Sequence, residues 1–343
     1  DKSTIKSVDQ MLQGRSSGLY MTQNSGMPGA GSTIRIRGGN SISGGNEPLY
    51  VIDGVPVYSS SSGDQSDLNP LNTIAISDIQ SIEILKDASS TAIYGARGAN
   101  GVVMVTTKTG AIGRTSVTLD ASWGVQNIRK KYDLLNAQEF EAFANEAYER
   151  AGSQPPFDLS KTPANTDWQE LVLNNNALMQ NYTLSVSGGD AKTHFLTTLN
   201  YMDQDGIIKG SEMEKISLRT NFDREVSSTV KMGLNLSLAQ VNMDRVGNDL
   251  LGYRTLHPNV AVYDADGNYN SINTFDQSGK FTNPLLVLRD EVNDNERFRT
   301  ISNIFGEWQI VRGLTLKSTF GVDLQFANQN SYTPMSIPAG EST

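Results

Sequence analysis

Cysteine is absent from all 343 residues, which excludes disulfides, thiolate metal sites and cysteine nucleophiles together. Histidine is nearly absent: the two present, His194 and His257, lie far apart and neither sits in a metal-ligand spacing. No G-x-S-x-G elbow supplies an activated serine, and neither a catalytic constellation nor a cofactor motif is found. No run approaches the roughly 18 apolar residues of a membrane helix, so residence in a membrane would require a β-barrel. Basic residues number 28 against 37 acidic, a net charge of −9, and Lys130 and Lys131 extend into no basic stripe; nucleic acid is excluded as a partner. The chain opens DKSTIKSVDQ with neither a basic n-region nor an apolar h-region, so any secretory leader is expected to lie outside it.

What is present, 37% hydrophobic and 19% charged residues, suffices for two folded domains. In the first, Ile5, Val8, Met11 and Leu12 stand at helical spacing within Asp1 to Gly14. Loops rich in Gly, Ser and Asn follow around a short strand, Leu19 to Thr22. In Ile34 to Gly38 the isoleucines alternate with Arg35 and Arg37, which places both guanidinium groups on one face of a strand. Leu49 to Val57, Ile79 to Leu85 and Val102 to Thr107 are apolar and β-branched enough for strands, and Asp87 opens a short helix that Gly95 ends. Gly38 to Glu47 and Tyr58 to Asn69 are glycine- and serine-rich connections. Gly95, Gly98 and Gly101 have the wrong order for a phosphate loop, since they end a helix and open a strand.

Beyond Gly110 the period changes to long, strict alternation. Val117, Leu119, Ala121 and Trp123 share one face; Val230, Met232, Leu234, Leu236 and Leu238 share another; Leu314 to Phe326 is the clearest case. Weaker copies occupy Tyr182 to Ser187, Thr193 to Met202, Lys215 to Asp223 and Thr300 to Ile310. Such strands, about ten residues long with one apolar and one polar face, suit a tilted membrane crossing. The connections alternate long and short three times, which puts every short turn on one side of the sheet; a soluble sandwich gives no reason for this. The first long connection carries a helix, Ala137 to Arg150, with Asn136 as N-cap, Glu139 at the capping-box position and Phe140, Phe143, Ala144 and Ala147 as its apolar stripe. DADGNYN from Asp264 fails as a calcium loop, with Tyr269 and Phe275 at the diagnostic positions, and reads as an Asp-Gly hairpin tip. The acidic stretches Asp244 to Asp249 and Asp290 to Glu296 read as solvated loop faces.

PLYVIDGVP followed by IQSIEILKDASSTAIYGARGANGVVMVTTK, with STIRIRGGNSI upstream, resembles the plug of the TonB-dependent outer-membrane receptors, in their SusC/RagA branch. The resemblance implies an α/β plug over 1–110 followed, over 111–343, by the first seven or so antiparallel strands of a transmembrane β-barrel of about 22 strands. It implies no enzyme activity, a Gram-negative outer membrane of the Bacteroidota, and TonB-energised import of glycan oligomers or peptides beneath a SusD/RagB-like surface lipoprotein. TonB would act through an N-terminal segment outside this chain. By the same resemblance, Asn40, Ser43, Asn46, Tyr58, Asp64 and Gln65 are plug-loop residues near the ligand, and Arg35, Arg37 and Arg97 are plug arginines facing carboxylates of the barrel wall. Two alternatives stand beside it: a siderophore or cobalamin receptor, and a surface adhesin without transport. Trp168, Tyr253, Tyr263 and Tyr269 suit sugar stacking, membrane girdles and loop cores alike.

Overall fold

A computed structural model describes residues 8, 12, 14, 16–23, 26–39, 45–57, 70–161, 163–246, 256–270, 282–335 and 337. Its N-terminal unit is built on a four-stranded sheet in the order β4-β3-β6-β5: β3 (Leu49–Ile52), β4 (Val55–Val57), β5 (Ile79–Leu85) and β6 (Val102–Thr107). A two-stranded ribbon, β1 (Leu19–Gln23) with β2 (Ser32–Ile36), lies beside it. The expected single strand from Leu49 to Val57 is instead a tight hairpin. Asp53 and Gly54 both take positive φ, 48° and 84°, the two-residue Asp-Gly turn whose twist matches its flanking strands. Tyr50, Ile52, Val55 and Val57 turn into a core with Ile34, Ile36 and Leu71, and Val8 and Leu12, helical as expected, close it from the N-terminal side. The remainder of the expected Asp1 to Gly14 helix lies almost wholly outside the described residues. After β5, helix α1 (Ala88–Thr91) runs into a 3₁₀ segment that reaches Gly98, kinked rather than ended at Gly95.

The rest of the chain is a seven-stranded antiparallel meander, β7 (Gly113–Gln126), β8 (Ala177–Gly189), β9 (Thr193–Asp205), β10 (Glu212–Glu225), β11 (Val230–Asp244), β12 (Val292–Val311) and β13 (Leu314–Tyr332), in sequence order across the sheet. Its burial is inside-out relative to a soluble protein. On β9, β10 and β12, Leu199, Ile216, Phe298 and Ile304 are exposed, while Asn200, Arg219, Asn221, Arg299 and Asn303 on the opposite face are buried. A face of aliphatic and aromatic side chains turned outward with a polar interior is what lipid on one side and a polar lumen on the other require.

The short turns cluster at one end. Asp190 accepts from the backbone of Lys192 and Thr193 at 2.8 Å, and Arg312 and Gly313 alone join β12 to β13. The strands run past their alternating parts: β12 spans 20 residues, twice what a membrane crossing needs. Its first turns, Asn293 to Glu296, pair with Asn242 to Asp244 and with Asn328 to Ser331, so this expected loop face continues the ladder. Alternation fades there because neither face meets lipid.

At the other end the long connections form a layer with its own core. Helix α2 (Ala137–Arg150) carries the expected capping box, but its buried face is Ala137, Glu141, Ala144 and Asn145, and Phe143 and Ala147 point outward. The face is rotated because polar clamps decide it. Asn145 brackets the backbone of Phe157 at 2.8 and 2.9 Å, and Glu141 accepts from Asn259 at 3.0 Å. Trp168 and Val172 of α3 (Trp168–Val172) pack with Val260 and with Leu286 and Val287 of α4 (Pro284–Asp290). The segment Tyr263 to Tyr269 is the expected hairpin tip, its turn closed by Asp264 accepting from Asp266 and Asn268 at 2.9 Å.

Candidate functional site: the interface between plug and wall

The N-terminal unit sits against the polar face of the meander, and one charged cluster fastens it there. The Asp53 turn places its carboxylate beside β6, where the backbone N–H of Thr107 donates at 2.9 Å and its hydroxyl at 2.8 Å. From the wall, Arg219 of β10 donates to Asp53 Oδ2 at 2.5 Å, to the Thr107 hydroxyl oxygen, and to Asn221 Oδ1 at 3.1 Å. Asn221 in turn donates to the Lys108 carbonyl at 2.5 Å, and Asn303 of β12 to the Asp53 carbonyl at 3.1 Å. The Arg219 and Asp53 side chains are 4% and 12% accessible, so the pair is shielded from solvent. A buried ion pair of this kind fixes one docked arrangement, and its loss is costly because a lone buried charge remains.

Two close backbone approaches accompany the cluster. A Cβ on Gly321 of β13 would stand 2.9 Å from Val55, and one on Gly110 would stand 2.3 Å from the Phe195 carbonyl oxygen. Only glycine admits these contacts. Beside the cluster, Asp78 is buried, and burial pushes its carboxyl above the ordinary carboxylate range against the pull of Arg219, a hydrogen bond with Thr198, and the charges of Lys108 and Lys215.

Toward the long-loop end, plug and wall separate around a cavity of about 340 Å³ between residues 71–77 and strands β8 to β10. A second hollow, about 460 Å³, lies in the outer layer between Tyr132–Asn136, Phe140, Trp168 and His257.

Of the residues expected near ligand, Asn46 lies in a loop against Gly39, while Asn40, Ser43, Tyr58, Asp64 and Gln65 lie outside the described residues. Arg35 is exposed on β2, opposite Tyr20. Arg37 does not share its strand face: with φ 58° it ends β2, and its guanidinium pairs with Asp87 of the plug itself at 2.7 Å, in solvent. Arg97 is exposed at the end of the 3₁₀ segment. Among the described residues, a wall arginine on a plug carboxylate, Arg219 on Asp53, makes an ionic contact between plug and wall. Sequence reasoning missed Asp53, Thr107, Arg219 and Asn221. Their one local signal was that Arg219 and Asn221 occupy the polar positions of an alternating strand. Of the candidate stacking aromatics, Trp168 is buried and donates to the His257 carbonyl, Tyr263 stacks on Tyr269 at 5.1 Å, and Tyr253 lies outside the described residues.

Comparison with known proteins agrees with this architecture. Residues 1–102 match the TonB-dependent receptor plug domain. TonB-dependent receptor P26 of Formosa agariphila is 39% identical over 97% of this chain and 33% of its own length. TonB-dependent receptor SusC of Bacteroides thetaiotaomicron is 37% identical over 64% of this chain and 21% of its own. The RagAB peptide importer in its closed-closed state superposes with a TM-score of 0.78 at 25% identity, over 94% of this chain and 39% of that one. The ferric citrate transporter FecA shares the fold alone, at TM-score 0.52 and 13% identity. The chain spans about a third of the length of the Formosa relatives it matches.

A plug docked on the polar face of an outward-apolar meander defines the TonB-dependent receptors, and the chain belongs to them. Within that class it falls in the SusC/RagA branch, the N-terminal plug and adjoining barrel strands of such a receptor.

Proposed function

We propose that the complete receptor resides in the outer membrane of a Gram-negative bacterium and imports a nutrient oligomer, a glycan or a peptide, using energy delivered by TonB. A SusD/RagB-like surface lipoprotein captures the oligomer over the long-loop layer. We further place the boundary between plug and barrel near Gly110. The observation that carries the reading is the character of the interface between plug and wall. Among the described residues it is a set of buried polar contacts around Asp53 and Arg219, with a cavity beside it, and Ile301 is the wall side chain that joins the plug's apolar core. Such contacts hold one docked state and leave it in one step when pulled, which suits a plug that must move. A static adhesin has no use for a separable plug.

The test is growth and labelled-oligomer uptake in the native host with the receptor gene or TonB deleted, together with recovery of the tagged receptor from its membranes. Uptake of an oligomer lost in both deletions, with a surface lipoprotein co-purifying, is the expected result. Uptake that survives TonB deletion would end the active-import reading, and recovery of the receptor without any lipoprotein would end the two-protein reading.

A further inference from the structure

The cavity between plug and wall holds more unused hydrogen-bonding capacity than a packing gap should. Lys215 of β10 lines it, buried, and its ammonium makes one hydrogen bond, to the Asn72 carbonyl of the plug at 3.2 Å. An ammonium has three donors, so two are unspent, and no carboxylate of the described residues stands within ion-pair distance. Gln204 of β9 also lines the cavity at 8% exposure, and its side-chain amide has no partner among the described residues. Asn200 spends its amino group on Asn181, Tyr182 and Thr183, which holds its carbonyl oxygen free, and because it donates to Asn181 Oδ1 it leaves the Asn181 amino group as a donor. A cation and two amides with donors to spare thus open to one hollow, where a bound molecule can accept from them.

Water alone could fill about 340 Å³ with roughly ten molecules, but it would not balance the charge. Arg219 is spent on Asp53, whereas Lys215 has only the buried Asp78 acting on it at longer range and no carboxylate of the described residues in contact, so its charge lacks a close counter-ion. On the wall side the lining includes three thioethers, Met179, Met202 and Met213, whose flexible side chains adapt to varied shapes, and on the plug side Val8, Leu71 and Ile74. Gln204 and Met213 flank the six-residue connection 206–211, so the cavity lies at the long-loop end, where ligand would arrive.

We propose that this cavity is a binding site for an oxyanion, a carboxylate, carried on the imported oligomer: Lys215 pairs with its charge, and Gln204 and Asn181 donate to its oxygens. The inference rests on the import reading and names the cargo class, acidic rather than neutral. A carboxylate can come from a uronate sugar or an acidic peptide, and the probes separate these.

The test uses the complete receptor purified from outer membranes, with trigalacturonate against a neutral trisaccharide and a tetraglutamate peptide against tetraglutamine, read by titration calorimetry. One acidic probe should bind about tenfold or more tighter than its neutral counterpart, as a charge-assisted hydrogen bond predicts. Lys215→Gln should abolish that preference. Gln204→Met, which keeps the charge and the shape, should weaken the acidic probe severalfold, and it serves if Lys215→Gln does not fold. Equal affinity for acidic and neutral probes in both arms, or a preference untouched by both variants, overturns the proposal. Uptake of the same probes in cells separates the two readings. TonB-dependent uptake without acidic preference removes only the pocket, whereas tight acidic binding without any uptake removes only import.

Discussion

Arg219→Met tests the fastening of the plug most directly. The guanidinium is 4% accessible and makes the only described ion pair between the two units, with Asp53, plus bonds to Thr107 and Asn221. Removing one member of a buried pair costs about 3–5 kcal/mol. The lower figure applies here, because Thr107 still donates twice to the stranded carboxylate. About 3 kcal/mol is a factor of roughly 100 in the equilibrium between docked and undocked plug. Hydrogen exchange in the complete receptor reads this at the amides of β3, β4 and β6, which should exchange about 100-fold faster in the variant. The double variant with Asp53→Asn removes both charges and should recover a kilocalorie or more relative to the sum of the single changes, the signature of a direct interaction. Exchange within about twofold of wild type, or strict additivity in the cycle, would refute the assignment of the pair as the main fastening.

Three further outcomes follow from the same geometry. Asp78 is held protonated more readily in the docked plug than in the unfolded chain, so its burial costs stability at neutral pH, and that cost fades as pH falls through the raised value toward the ordinary 3.8. Asp78→Asn should therefore raise the denaturant midpoint of the plug at pH 7, with the advantage shrinking in acid; a lower midpoint at pH 7 would mean that the attraction of Arg219, Lys108 and Lys215 outweighs desolvation. Gly321→Val drives a branched side chain into Val55, where a Cβ already stands at 2.9 Å, and should loosen the plug by about 1–3 kcal/mol, read by protease cleavage after β4 at unchanged barrel heat-stability. Asn136→Ala removes the N-cap of α2 at a cost of about 1 kcal/mol, visible as faster exchange of the first helical turn with no change in plug protection.

Much of the wall was legible because alternation is a local property. Val230, Met232 and Leu234 announce their common face without reference to any neighbour, and each strand pairs with the next in sequence, across short turns and long connections alike. The capping box of α2 was equally local, since Asn136 and Glu139 satisfy each other's backbone within one turn. Its buried face was not, because Asn145 and Glu141 are drawn inward by Phe157 and Asn259 and override the apolar stripe. The Asp53-Gly54 hairpin was missed where a continuous apolar run hid the turn dipeptide.

The sequence by itself determined the class of fold: strands with one lipid-compatible face, a sidedness set by connection lengths, and a mixed unit ahead of them. Tertiary structure alone decided which groups meet. Asp53 and Arg219 stand 166 residues apart, and nothing local to either names the other. Polar residues are common at inward positions of the barrel strands, so the pattern cannot distinguish an arginine that holds the plug from one such as Arg299, which pairs with Asp323 within the wall. That choice is made by the register of strands against a docked plug, as is the hollow beside Lys215 and Gln204, which exists only where two separately folded surfaces fail to touch.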